Sequence, residues 1–487
     1  MFQRLVGVTL GLLALSPAGA EGQSLNYQTF LIGDRALGMG GAFTGLADDA
    51  SASYYNPAGL AMLVRSSISG SLQVNAFDRY IVRDGFASPI GSTDLDHESN
   101  PTVPLFVGLV KKFGNRHPDR VRRHAIALST VHPTQVRRNF SATLENPMTG
   151  VETTLSVRRS DTVRWWGPSY AYRVTPRFAL GVSAFLSTRS FEHEEDEVII
   201  TQGTRDPTGV FRNSTLSIRE SLVEIDDTQI VLRIGAIYDH GPFRFGLTFQ
   251  PPAIPISGSS TINERRSFAD LLADPPAATF FRSDQGGLDS SSPIPWELRL
   301  GASYTHGPDF HVALDVSVYG PVGSEDDPVV PFGFADPDPI TGEVPQPGIF
   351  AVQQYHANVT ANMSLGMETV IAGVVPVRAG VFTDFSAAPD VPEASDILGP
   401  DQVNHYGASL SVGLRAGGYD LSVGAAVVYG RGEGYRLNPQ PGLDPTPETY
   451  LAADVESRTV YFFISGAQQA AGRLAKSVYD EYIRPGS

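Results

Sequence analysis

The stretch ADDASASYYNPAGLAML, residues 47–63, gathers the side chains with the most to offer chemically. Asp48 and Asp49 are adjacent carboxylates that can accept hydrogen bonds or pair with cations. Asn56 can cap the turn that begins at Pro57, since proline suits the first position after a cap and pushes the preceding residue into an extended conformation. Gly59 follows in the same turn. None of this is bond-breaking machinery. The chain has no G-x-S-x-G and no H-E-x-x-H, and no Ser/His/Asp set stands out. The glycines of ALGMGGAF do not follow a strand into a βαβ unit, so they do not cradle a nucleotide. The acidic run FEHEEDEV, with Glu192 to Glu197, is either a divalent-cation site or a solvated loop. With 0 cysteines, thiolate metal sites and disulfides are excluded. The expectation is a non-enzyme without metal or cofactor, whose charged groups hold a structure in place.

The elements that would position these residues are β-strands. Of 487 residues, 41% are hydrophobic and 18% charged, with 49 glycines and 36 prolines, which argues for many turns. The formal charge of −16, with no basic patch to offset it, excludes nucleic acid as a partner. Residues 1–20 carry Arg4, an apolar run and a small-x-small end at Ala18-Gly19-Ala20, the pattern of a cleaved secretory signal. No later segment offers about 20 uninterrupted apolar residues, so a membrane can be crossed only by a closed barrel. Strict alternation supports that reading. In VALDVSVYG, Val312, Leu314, Val316 and Val318 face one way. In FRFGLTF, Phe243, Phe245, Leu247 and Phe249 oppose Arg244, Gly246 and Thr248.

Short turns at GNRHPDR, VTPR, DHGP, THGP, IAGVV and AGGY alternate with longer polar loops at 258–293, 320–352, 386–403 and 431–455. The count is about fourteen strands, an even-stranded antiparallel transmembrane barrel with both termini on the periplasmic, short-turn side. Tyr172 and Phe178, Tyr238 and Phe243, and Tyr304 and Phe310 bracket three of the turns as an aromatic girdle. The alternative is a soluble β-sandwich or propeller, which leaves the alternation of short and long connections unexplained. The domain boundaries expected are signal peptide 1–20, hatch 21–63, barrel 64–468 and C-terminal tail 469–487. In the tail Ala471, Leu474, Val478 and Tyr482 are helically spaced and suggest a periplasmic contact.

A barrel this wide has an open lumen unless something fills it. The glycine-rich, non-alternating residues 21–63 can do so. By strand parity Arg173, Arg233, Arg244, Arg299, Arg378 and Arg415 face the lumen, where they either pair with the plug, through Asp48 and Asp49, or clamp a ligand carboxylate. The third strand, roughly 121–145, contains His132-Pro133. Proline cannot donate to the ladder, so the wall is either opened there or only bulged. In the loop INERRSFADLLADPPAATFF, Phe268, Leu271 and Leu272 fall at helical spacing, and Phe280 and Phe281 follow. These side chains either line a groove or pack among themselves. Phe30, Phe43 and Tyr54 are the aromatic candidates for ligand contact within the plug.

LIGDRALGMGGAFTGLADDASASYYNPAGLA resembles the N-terminal hatch of the FadL/TodX (OMPP1) family of outer-membrane transporters for hydrophobic compounds, with DDAS and NPAG as its most specific elements. The resemblance implies passive transport of long-chain fatty acids or other hydrophobic molecules across the outer membrane of a Gram-negative cell. Ligand would be captured by extracellular loops, pass the hatch and leave sideways through the wall near the third strand. It also implies contact with outer-membrane lipid and lipopolysaccharide. The same hatch sequence is similar to PorV-like proteins, which serve a secretion apparatus. Two features depart from the family. The chain does not finish on an aromatic residue closing the last strand, so that signal would be internal, around Phe462 and Phe463. The loop after the fifth strand reads as long polar strands.

Overall fold

The structure, a computed structural model, describes residues 25–88, 91–116, 122–146, 151–205, 211–270, 277–289, 292–323, 356–395, 399–437 and 450–468. The signal segment 1–20 and the tail 469–487 lie outside these. Alternating sequence becomes strand nearly throughout: β1 (Ser67–Ser88), β2 (Gly91–Ser99), β3 (Val103–Arg116), β4 (Arg122–Asn146), β5 (Val151–Thr175), β6 (Phe178–Arg205), β7 (Phe211–His240), β8 (Phe243–Gln250), β9 (Ile254–Asp270), β10 (Ala277–Asp289), β11 (Glu297–His306), β12 (Phe310–Tyr319), β13 (Thr360–Ile371), β14 (Val375–Asp384), β15 (Ala394–Ser395), β16 (Gln402–Ala416), β17 (Tyr419–Leu437) and β18 (Tyr450–Gln468).

Antiparallel pairing closes these strands into a barrel. The first half of β1 pairs with β3, from Ser67↔Val110 to Gln73↔Val103. Pairing then steps through β3–β4–β5–β6–β7–β8 and across to β11–β12–β13–β14–β16–β17–β18. β18 returns to β1, from Ile68↔Gln468 to Val82↔Val455. The 18 strands among the described residues exceed the number read from the sequence. The extra ones are additions beyond one end: β2 on the outer half of β1, the β9–β10 hairpin on the outer half of β7, and the short β15 on β18.

Three local expectations differ from the structure. β9 and β10 pair antiparallel, with Phe268 opposite Thr279, in place of the polar loop expected over 258–293. The free edge of β7 offers β9 a ladder to pair with. FEHEEDEV lies on β6, and Glu195 and Glu197 are buried. The loop expected at 431–455 is also shorter, since β17 runs to Leu437 and β18 starts at Tyr450.

The alternation sorts side chains as the sequence suggests. On β8, Phe243, Phe245, Leu247 and Phe249 are exposed on the outer face, while Thr248 and Gln250 are buried inside. Short turns cluster at one end, where Gly241 and Gly307 take positive φ values of 62° and 63° that favour glycine. Phe243 and Tyr304 meet there with ring centroids 5.2 Å apart. No helix among the described residues is long and apolar enough to cross a membrane. The main core is inside the ring, built by residues 25–63 and the inward faces of the strands.

Candidate functional site: the filled lumen and its wall

Residues 25–63 carry three one-turn helices, α1 (Arg35–Gly38), α2 (Ala52–Tyr55) and α3 (Gly59–Met62). Asn56 is extended (φ −157°, ψ 100°), as the following Pro57 requires. Its Oδ1 accepts from the Ala58 N–H at 3.2 Å, and its Nδ2 donates to the carbonyls of Thr44 (3.2 Å) and Ala236 (3.0 Å). The Asn-Pro turn is therefore both self-capped and tied to β7. Gly59 lies so close to Ala47 that a Cβ would overlap the Ala47 carbonyl. Lys112 on β3 donates to the Leu60 (3.2 Å) and Ala61 (2.5 Å) carbonyls.

Around the segment the wall presents glycine. A Cβ at Gly181 would overlap the Pro57–Ala58 backbone; one at Gly235, the side-chain oxygen of Asn56; one at Gly246 or Gly301, Thr44 or Gly45; one at Gly366 or Gly380, Met39. These six sit on β6, β7, β8, β11, β13 and β14, and at all but Gly235 main chain meets main chain. Asp315 on β12 adds a carboxylate that accepts from the Phe43 (2.9 Å) and Thr44 (2.7 Å) N–H groups.

The expected pairing of Asp48 and Asp49 with lumen arginines is not what the structure contains. Asp48 pairs with Arg35 of the same segment at 2.5 Å. Asp49 accepts from the Ser51 N–H and hydroxyl. The ion pair between segment and wall has the opposite polarity: Arg35 Nη2 meets Glu368 Oε1 on β13 at 2.7 Å. The lumen arginines do point inward, but mostly onto carboxylates of the wall itself. Arg378 pairs with Glu368 at 2.6 Å and with Asp420; Arg415 pairs with Asp420 at 2.9 Å. Arg233 and Arg299 both engage Glu297. Arg244 pairs with Asp239 and donates to the Leu46 carbonyl, and Arg173 donates to the Pro176 carbonyl at 2.6 Å. Glu368, Glu297 and Asp315 were missed. Strand parity, which found the arginines, would have put these three on the same inward face. Burial pushes the Asp34 carboxyl up to about 7. It also raises Asp49.

Beyond the segment lie two lumenal cavities. The larger, of about 290 Å³, is bounded by Phe30, Phe382 and Val428, by residues 99–101, and by residues 135–138 of β4. The smaller, of about 90 Å³, reaches Tyr54, Trp165 and Pro133. Both approach a defect in the wall. β3–β4 ladder pairing ends at Phe106↔Val131; beyond it the His132 side chain reaches the Pro104 backbone, and the Asn139 N–H meets the His97 ring at 3.1 Å. On the other edge the register jumps from Val131↔Trp165 to Thr134↔Val163, so His132 and Pro133 together face Arg164. That is a bulge of one extra residue.

Of the remaining candidates, Phe30 and Tyr54 line cavities. Phe43 packs edge-on against Tyr55 at 5.6 Å inside the segment. Phe268 is half-buried and Phe280 is exposed on the hairpin. Leu271, Leu272 and the Phe281 side chain lie outside the described residues.

Solved structures share this architecture. A Pseudomonas aeruginosa FadL homologue matches 93% of this chain over 100% of its own, with TM-score 0.54 and 15% identity. The P. putida toluene transporter TodX matches 92% over 99%, with TM-score 0.51 and 13% identity. A TodX monoaromatic hydrocarbon channel carrying the deltaS2 mutation gives TM-score 0.52 at 12% identity, over 91% and 99%. No family model and no curated protein matches by sequence. The likeness to FadL and TodX carried by the N-terminal motif thus extends to the fold of nearly the whole chain.

Proposed function

We propose that this chain is a passive outer-membrane channel for hydrophobic small molecules, long-chain fatty acids or hydrocarbons, with a wall of about fourteen crossing strands and residues 21–63 as its hatch. On this reading the short-turn end is periplasmic and the long-strand end extracellular. Ligand is captured among the extracellular strands and loops, passes residues 26–30 of the hatch, and leaves sideways between β3 and β4. The observation that carries the proposal is the lumenal cavity lying against residues 135–138 of β4, within a stretch that pairs with β5 from Thr134 on but has no ladder to β3. Such a ligand gains about 0.8 kcal/mol for each methylene removed from water, so an apolar path past a polar outer leaflet is enough to drive capture without energy input. The opening at His132-Pro133 is the finer part of this reading, and the broken ladder on both edges of that stretch supports it. Uptake of radiolabelled oleate by Gram-negative cells lacking their own long-chain fatty-acid channel tests it. Cells expressing this protein should take up oleate faster than cells expressing an empty vector. Equal rates would overturn the channel and leave a structural or secretion-associated barrel.

A further inference from the structure

The outer face of the wall has a sharp chemical boundary across β5, β6 and β7. Trp166, Leu186 and Ile230 stand side by side in the ladder, and Arg164, Thr188 and Thr228 follow two residues farther from the short turns. On the short-turn side of that line Trp166, Tyr170, Leu180, Val182 and Ile234 are exposed on the outer face. Beyond it the outward residues are polar, with Ser190 opposite Asp226 and Glu192 opposite Glu224. A large aromatic ring at such an edge marks where hydrocarbon ends and head groups begin. Arg164 therefore lies at head-group level, on the same face as Trp166. Arg137, outward on β4, faces Ser160 of β5, four residues past Arg164 and on the order of 13 Å along the strand. Both arginines are exposed.

Nothing in the wall neutralises these two cations. Neither has an ion-pair partner among the described residues. Opposite and diagonal to Arg164 on β6 are Thr188, Leu186 and Ser190; opposite and diagonal to Arg137 on β5 are Ser160, Thr162 and Arg158. Arg158 differs, since Glu194 holds it at 2.7 Å. An exposed guanidinium at an apolar edge is best matched by a phosphate, which takes two parallel N–H bonds from the planar fork. On the other side of Trp166 the same face has a shallow groove of about 520 Å³, lined by Ile126, Leu128, Pro168, Tyr170 and Val182, with Lys111 at its short-turn end. Its apolar walls suit a hydrocarbon chain. Cation above and groove below thus have the order of head and tail in one lipid.

We propose that the outer face of β4 and β5 binds a diphosphorylated glycolipid of the outer leaflet, with one phosphate on Arg164, the other on Arg137, and an acyl chain in the groove beside Trp166. The proposal rests on the channel reading only for the placement of the long-strand end at the cell surface. It adds a lipid that is held outside the barrel and is not carried through it. Two phosphates set apart by a disaccharide match two guanidinium groups set apart along a strand, whereas a lipid with one phosphate satisfies only one of them. The site flanks the wall defect, since Arg164 faces His132 and Pro133.

The test is titration of the full chain, in non-ionic detergent with EDTA, against diphosphoryl lipid A, the same lipid with both phosphates removed, and phosphatidylglycerol. Diphosphoryl lipid A should bind about tenfold more tightly than either of the others. Arg164→Gln and Arg137→Gln should each remove most of that preference and leave the dephosphorylated lipid unchanged. Arg158→Gln, whose partner is Glu194, should change neither. All three side chains are exposed, and heat-modifiable migration identifies the folded variants. Four results would each overturn the site: equal binding with and without phosphates; phosphatidylglycerol bound as tightly, as a lipid of the inner leaflet on Lys111 would be; arginine variants that keep the preference; or binding that appears only when calcium replaces EDTA, as bridging by the carboxylates of β6 and β7 would require. Each of these would leave oleate uptake as it is. Uptake no faster than with an empty vector would overturn the channel and leave these titrations unchanged.

Discussion

Along β6 the inward residues change from Gly181 and Ser183 near the short turn to Phe185, Arg189, Phe191 and His193 farther out, and along β7 from Gly235 to Val231, Asp227 and Ile225. The same strands thus build two unlike halves of one lumen. In the half near the short turns, wall glycines let the backbone of residues 25–63 touch the backbone of the wall, and ion pairs lock what remains. In the other half, large side chains hold the walls apart, cavities persist, and the β4 ladder is broken. The first half is closed by main-chain contact and the second keeps open space. On the proposed channel reading, that difference lets the plug be polar while ligands are apolar, because the plug is not the path.

Breaking the closed half should produce the largest effect. Arg35→Gln removes the cation shared by Asp48 and the fully buried Glu368. Glu368 keeps Arg378, but two charged hydrogen bonds from Arg35, each worth about 1.5–3 kcal/mol, are lost along with the Asp48 pair. The plug should become accessible to added protease while the barrel stays heat-modifiable; a plug as resistant as wild type would mean that the glycine contacts alone hold it.

Next comes acidity. Native Asp34 keeps its proton up to about pH 7, against an ordinary value of 3.8. The native state therefore binds that proton more tightly than the unfolded chain. The stability this group contributes is greatest at low pH, falls as pH rises from 3.8 to about 7, and is constant above. The span is roughly 2–4 kcal/mol. Asp34→Asn should flatten the pH dependence of plug protection over that window, and at pH 8 its plug should be better protected than that of wild type.

A smaller effect, about 1–3 kcal/mol, is expected of Gly246→Leu, since overpacking against Thr44 must shift main chain. Single-channel conductance in planar bilayers should rise. Gln135→Leu in the open half, where there is space, should leave it unchanged. Equal behaviour of the two would erase the contrast between the halves. The smallest change in stability should come from deleting Pro133. Removing the extra residue lets β4 alternate in register with β5, a gain of about 1 kcal/mol for one more hydrogen bond. Oleate uptake should nevertheless fall sharply, because the opening closes.

The sequence made some of this legible and hid the rest for physical reasons. Period-two runs such as 243–249 gave both the strands and their outward-facing side, because burial on one face and exposure on the other is all that alternation encodes. The Asn56-Pro57 cap was legible because its chemistry is local. The partner of Arg35 was not: Glu368 is 333 residues away, and a sequence alone does not say which strand passes closest. The wall glycines could be read as lumen-facing but not as contact points, since what they touch is another segment's backbone. The strands β9 and β10 were hidden within the polar loop expected at 258–293, because their partner is the edge of β7, which no local pattern reveals.

The central claim is that ligand leaves through the wall and not through the plugged half. The chain has 0 cysteines, so a disulfide can be introduced without background. Asp34 and Ser465 on β18 are in direct contact, Oγ to Oδ1 at 2.5 Å, three strands from β4 around the ring. In an Asp34→Cys, Ser465→Cys variant, oxidation ties the plug to β18. Oleate uptake by cells carrying this variant should be the same oxidised and reduced. Uptake that falls on oxidation and returns with reductant would contradict the account and put the path through the plug.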